Sequence, residues 1–447
     1  MDQLPVLISN ATLVNEGRQQ QADVLIQQGR IERIDNQISA PANAEIIDAQ
    51  GQYLLPGMID DQVHFREPGL DQKGNLKTES AAAVAGGITS FMEMPNTQPP
   101  TTTHEALAEK YQRAVGRCTG NYAFYFGATN DNIEAIRSLD PNQAAGIKVF
   151  MGASTGNMLV DRAETLEQIF RDAPCLVATH CEDTPSIQHN LRLAKEKYGV
   201  MIPASAHPEI RDVEACYRSS SMAVALAKEH GTRLHVLHLT TAKELSLFEA
   251  GPIAGKQITA EACVHHLYFS QDDYATLGNQ IKCNPAIKTS DDRAALIRAL
   301  VDEKLDIIAT DHAPHLWVEK SSSDYLQAAA GLPLVQHAMP LALELVHQGH
   351  LSLEAVVAKT SHNVAQRYQV KERGYLREGY WADLILVDMN QPWTVNSEDL
   401  MYRCGWSPLK GRTFQSRINR TWVNGYPVWD GQNHSGRYPG IALEFQR

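Results

Sequence analysis

Both ends of the chain alternate short apolar runs with turn signals, and the period changes between them. In the first fifty residues PVLISNATLVNEG, ADVLIQQGRIERID and AEIIDAQGQYLLPG read as successive strands. Gln28-Gly29-Arg30 supplies a glycine-containing hairpin turn before Ile31. The last eighty residues have the same character in GYWADLILVDM and RINRTWVNGYPVWDG, where Asn424-Gly425 between two apolar runs is a strong hairpin signal. The two ends, residues 1–54 and 370–447, are expected to build one small, sandwich-like β domain together.

Residues 55–369 read differently. Buried-type strands fall at about 54–64, 87–94, 121–128, 145–151, 175–180, 233–239, 257–262 and 305–310. Each is followed by a stretch with helical periodicity, such as THEALAEKYQRAVGR from Thr103, VEACYRSSSMAVALAKEH from Val213 and SDDRAALIRALVDE from Ser290. Ser290, Asp291 and Asp292 offer N-capping and first-turn acids to the last of these. Eight strands, each answered by a helix, predict an α/β fold, a (β/α)8 TIM barrel. A doubly wound sheet would want a glycine-rich phosphate loop after its first strand, and none follows here. Length alone, 447 residues, suggests about three domains. The pattern reduces that to a barrel plus a small β domain.

Composition narrows the function classes. Basic residues number 40 and acidic ones 52, a net charge of −12, with 43% apolar residues and only 29 glycines and 21 prolines. That balance excludes a disordered chain, a collagen-like chain and a polybasic nucleic-acid binder. No run approaches the roughly 18 apolar residues of a membrane span, and MDQLPVLISNATLVNEG lacks the marks of a signal peptide. A cytoplasmic protein with neither nucleic-acid nor membrane partners is expected, with a homodimer as a base-rate expectation. Seven cysteines without a CxxC pair read as reduced thiols.

The seventeen histidines carry more. A barrel places its chemistry at the C-terminal strand ends, and there the strands finish in IDDQVHFREPG, MEMPN, GIKVFMG, LVATHCED, HVLHLTT and IIATDHAPH, while the seventh runs on towards CVHH. A histidine, lysine or aspartate inside an apolar run is costly unless paired or ligated. One is unremarkable, but several at one pole of one barrel point to a metal centre. Alternation places Asp60, Gln62, His64 and Arg66 on one face of the first strand and sends Asp61 to the other. By the same rule only one of His235 and His238 reaches the site. His238 is nearer the strand's C-terminal end, and His235 is expected to pack against helices.

These motifs, taken together and in order, resemble the metal-dependent cyclic amidohydrolases. Within them REPG at 66–69, MPNT at 94–97 and DHAPH at 311–315 most resemble the dihydroorotases. The resemblance runs over essentially the whole chain. It implies a centre of one or two zinc ions with Lys148 carboxylated by CO2 as a bridging ligand. His180 and His238 would serve one ion, and His64 and Asp311 the other. Asp311 would also move the proton of the reaction. The resemblance further implies that Arg66, Asn96 and His315 hold a substrate carboxylate and that Asn284 contacts the ring. The reaction implied is the reversible closure of carbamoyl-aspartate to dihydroorotate in pyrimidine synthesis, on a small substrate bearing a carboxylate.

The sequence departs from the family at Gln62, where the pattern has histidine. A neutral amide oxygen is a poorer zinc ligand than imidazole, which leaves three options: a weaker second ion, a single ion at Lys148, His180 and His238, or a silent site. Two other functions therefore stay open. One is a related ring opener acting on allantoin or a hydantoin, although allantoin-cleaving relatives generally carry asparagine where Arg66 stands. The other is a silent partner subunit. Residues 316–333 are read either as a lid or as an ordinary surface loop. His265-His266 is read as structural, and Cys181 faces away from the site.

Overall fold

The computed structural model describes residues 4–152 and 158–447, so the first three residues of the N-terminal segment lie outside it. Five strands lead the chain: β1 (Val6–Asn15), β2 (Arg18–Gln27), β3 (Arg30–Asp35), β4 (Glu45–Asp48) and β5 (Tyr53–Pro56). Nine form the central body: β6 (Met58–Val63), β7 (Ile88–Glu93), β8 (Asn121–Phe124), β9 (Phe126–Gly127), β10 (Ile147–Phe150), β11 (Val177–His180), β12 (Leu234–Val236), β13 (Ile258–Cys263) and β14 (Ile307–Ala309). Five more follow: β15 (Leu384–Asp388), β16 (Trp393–Thr394), β17 (Thr413–Phe414), β18 (Arg417–Val423) and β19 (Tyr426–Trp429).

The central strands pair in parallel in sequence order, β6-β7-β8 and β9 through β14. The third barrel strand is broken at Tyr125 into β8 and β9. The ring closes where Val63 bridges His312 and the His64 N–H donates to the His312 carbonyl at 2.7 Å. This is the (β/α)8 barrel that the alternation predicts, with helices such as His104–Ala114 and Val213–His230 packed outside. Thr103 and Asp212 cap those two helices through their side chains, as their positions before the apolar periods require.

Both chain ends feed one mixed sheet of order β19-β18-β15-β5-β1-β2-β3, with β4 paired to β1. Two of its hairpins turn where the sequence places them. Gln28 and Gly29 have φ of 52° and 81°, Asn424 and Gly425 of 50° and 73°. Left-handed backbone at both central residues is the twist a two-residue hairpin needs, and asparagine and glycine adopt it at least cost.

The barrel lumen is filled from below by Tyr125, Tyr368, Ile59, Met92 and Ile307, and Leu443 and Phe445 from the C-terminal tail close this cluster. A larger shell of apolar residues joins the outer faces of the strands to the helices. Among the described residues no helix is long and apolar enough to cross a membrane.

Candidate active site

At the C-terminal end of the barrel a cavity of about 350 Å3 is lined by Gln62, His64, Arg66, Asn96, Lys148, His180, His238, Asn284, Asp311 and His315. All ten side chains singled out in the sequence thus meet in one place. A larger cleft of about 590 Å3 lies beside Trp393, Arg417 and Trp429, but its lining holds no histidine, lysine or cysteine. Convergent chemistry, rather than size, selects the site.

Three of the ten sit on strained backbone. Arg66, His238 and Asp311 have φ of 73°, 42° and 49°, a region that costs a non-glycine residue about 1–3 kcal/mol. All three lie just past the C-terminal ends of their strands, at the rim.

His180 and His238 stand ring to ring, Nδ1 of the first 3.0 Å from Nε2 of the second. His180 Nε2 faces Glu182 Oε2 at 2.9 Å, and Glu182 is itself held by Arg211. A ring nitrogen that donates to a carboxylate leaves the opposite nitrogen as a lone pair, the arrangement that orients metal-binding histidines. Burial pushes both imidazoles below their usual range, His238 further because His180 and Lys148 stand beside it. The Nδ1 atom of His238 has no hydrogen-bond partner among the described residues. Two nitrogens on one tetrahedral zinc lie about 3.3 Å apart, so this pair fits a divalent ion. Lys148 is buried beside them, its Nζ 4.6 Å from the Phe150 ring centroid. It makes no hydrogen bond or ion pair with any described residue, and burial lowers it to about 8.

The opposite wall is satisfied internally. His64 Nε2 lies 3.1 Å from Asp311 Oδ1, and His64 Nδ1 lies 2.7 Å from Asn96 Oδ1. Gln62 Nε2 donates to the same Asp311 oxygen at 3.1 Å. Burial works against the Asp311 charge, but the His64 hydrogen bond and the charges of His64, His265 and Lys148 together outweigh it and hold the carboxyl below its usual range.

Arg66 is buried, donates through Nε to the Pro314 carbonyl at 3.0 Å, and meets His315 Nε2 at 3.0 Å. Lys73 lies 3.2 Å from His315 Nδ1 and pairs with Glu319 at 2.8 Å. Burial, with Arg66 adjacent, pushes His315 down to about 3. Among the described residues Arg66 has no carboxylate partner. Asn284 Oδ1, also buried, has no hydrogen-bond partner among them either.

The segment at 316–333 roofs one side of the site and is pinned there. Lys320 Nζ donates to the carbonyls of Lys282 and Ala329, and Lys282 Nζ to those of Tyr325 and Ala328. Ala329, Ala330 and Gly331 line the cavity.

Alternation fails at Asp61. Between Asp60 and Val63 the register of β6 against β7 shifts. Asp61 thereby points into the lumen and reaches across it, Oδ2 lying 3.4 Å from His235 Nε2. His235 is therefore not packed among helices. It meets Glu261 Oε2 at 3.2 Å and Thr259 Oγ1 at 2.8 Å. This fully buried trio forms a floor beneath the site, and Glu261 Oε1 accepts the His238 backbone N–H at 3.1 Å. Sequence reading misses Asp61 and Glu261, whose only signal is an acid inside an apolar run. His265 and His266 are buried behind the wall, and His266 Nε2 donates to the Pro285 carbonyl at 3.2 Å. Cys181 turns away towards Thr179.

Residues 53–428 match the model of the amidohydrolase family. The chain is 34% identical to a dihydroorotase of Halobacterium salinarum over 430 residues, covering 92% of this chain and 97% of the relative. It is 30% identical to an allantoinase of Deinococcus radiodurans, covering 98% of both. The fold superimposes on the L-hydantoinase (dihydropyrimidinase) of Arthrobacter aurescens with a TM-score of 0.93 at 26% identity, covering 99% of this chain and 100% of that one.

Proposed function

The chain belongs to the amidohydrolase family and is a metal-dependent hydrolase, and from that premise we propose that its substrate pair is dihydroorotate and N-carbamoyl-L-aspartate. Arg66 carries this reading. A buried guanidinium that burial lowers only to about 10 remains charged, and a buried cation lacking a counter-ion is costly. Its fork suits a carboxylate, which dihydroorotate carries on its ring and allantoin and hydantoin do not.

In this reading Arg66, Asn96 and His315 seat the carboxylate, and Asn284 Oδ1, without a partner among the described residues, accepts a ring N–H. His180, His238 and Lys148 are the groups that would hold zinc, Lys148 as a carbamate. A lysine amine can attack CO2, which forms an N–C bond and releases one proton. Bound zinc would polarise the scissile carbonyl and acidify water. Asp311, kept ionised by His64, takes a proton as the ring opens and returns it as the ring closes, as reversibility requires. His64 fixes the orientation of Asp311, and the pinned 329–331 wall limits water entry.

Ring openers of the allantoin and hydantoin type remain the second reading, on overall similarity alone. Metal dependence is tested by stripping the protein with chelator and restoring zinc with bicarbonate. Conversion of dihydroorotate should disappear and return. Conversion that survives stripping would count against the reading.

A further inference from the structure

The two walls of the cavity present different atoms to a cation. His180 and His238 bring ring nitrogens to 3.0 Å of each other, and the Glu182 carboxylate leaves a lone pair on the first. Across the cavity Gln62 presents an N–H, which has no lone pair to give. The amide is locked in that sense. Its Nε2 donates to Asp311 Oδ1 at 3.1 Å, and its Oε1 accepts from the Cys263 thiol at 3.6 Å. Reversing it would set the amide oxygen against the carboxylate and leave two buried acceptors facing each other. Asp311 Oδ1 also takes His64 Nε2 at 3.1 Å, so the Gln62 N–H occupies the carboxylate oxygen nearest His64.

We propose that Gln62 makes this a one-ion centre: the ion is held by His180, His238 and Lys148, while Gln62, His64 and Asp311 form a hydrogen-bonded cluster that takes none. Gln62 is then a positioning residue. It fills the volume of a ligand and aims Asp311 for proton transfer. The inference rests on the metal-dependent reading above.

The test is metal counting on the full-length protein after equilibration with excess zinc and bicarbonate and removal of loose metal. The unaltered chain should hold about one zinc, Gln62→His about two, and His238→Ala well under half of one. Two zinc per unaltered chain would overturn the one-ion centre while leaving metal dependence intact. So would a Gln62→His protein with native circular dichroism that still holds one. An unaltered chain that retains almost no zinc would overturn the metal-dependent reading and this inference together. Manganese loading gives a readout that needs no variant. The paramagnetic resonance spectrum should be that of an isolated ion, and an exchange-coupled pair would contradict the proposal.

Discussion

Two clusters of histidine and neighbouring charge occupy the same barrel, one at its mouth and one beneath it, and they are stabilised in opposite ways. At the mouth His180 and His238 are held neutral by burial, and Lys148 has neither a hydrogen bond nor an ion pair with a described residue. At the floor burial opposes the charge on His235 too, but the adjacent carboxylates of Asp61 and Glu261 prevail and raise it to about 9. Glu261 is raised to about 8 by burial and by Asp61, and Asp60 to about 8 by burial. Burial is common to both, so burial does not make a site. What separates them is whether the buried groups satisfy one another. At the floor opposite charges face one another, His235 lying between Glu261 at 3.2 Å and Asp61 at 3.4 Å. The mouth leaves lone pairs and a cation without counterparts, and those are the groups a metal and a carboxylate can use.

The contrast can be broken from either side. The largest effect belongs to the mouth: Asp311→Asn should lower kcat by about 10²–10⁴-fold with the circular dichroism unchanged. Near-normal turnover would remove Asp311 from proton transfer. His235→Asn at the floor strands Asp61 and Glu261 without their cation and should cost about 3–5 kcal/mol of stability, read as a lowered Tm. Zinc content and turnover per folded molecule should hardly move. Arg66→Met should raise KM for the carboxylate substrate by roughly 10–100-fold, the value of a charge-assisted hydrogen bond or two, with kcat much less affected. An unchanged KM would leave the substrate assignment without support.

The smallest effect is in pH. His235, Glu261 and Asp60 all hold their protons to higher pH when folded than unfolded. The native state therefore binds more protons, and stability falls as pH rises. The His235 contribution is present in full below about 6.5 and is lost towards 9. Between pH 6.5 and 8 the Tm should drop by ~2–4 °C, and His235→Asn should flatten that slope. A Tm that climbs over this range would contradict the floor's charge assignment.

Much of this was legible in the sequence. Eight buried runs answered by helical periods defined the barrel, and Asn424-Gly425 its terminal hairpin, because each is a local pattern with a local physical cause. The mouth was legible because costly residues recur at successive strand ends. The floor was not. Strict alternation sends Asp61 away from the lumen, and one register shift in β6 reverses that. The Asp61–His235 contact spans the barrel from β6 to β12, a proximity that topology creates and spacing does not encode. The locked amide of Gln62 was likewise invisible, since its orientation depends on Cys263 and Asp311, each some two hundred residues or more away.

The central claim is that a carboxylate-reading cation at the mouth chooses the ring. The direct measurement is kcat/KM of the zinc- and bicarbonate-treated protein on dihydroorotate, allantoin and hydantoin, with carbamoyl-aspartate closure followed alongside. Dihydroorotate should be opened and carbamoyl-aspartate closed, with the two rings that lack a carboxylate at least ~100-fold poorer. Preferential opening of allantoin or hydantoin, or no conversion of either dihydroorotate or carbamoyl-aspartate, would contradict the account.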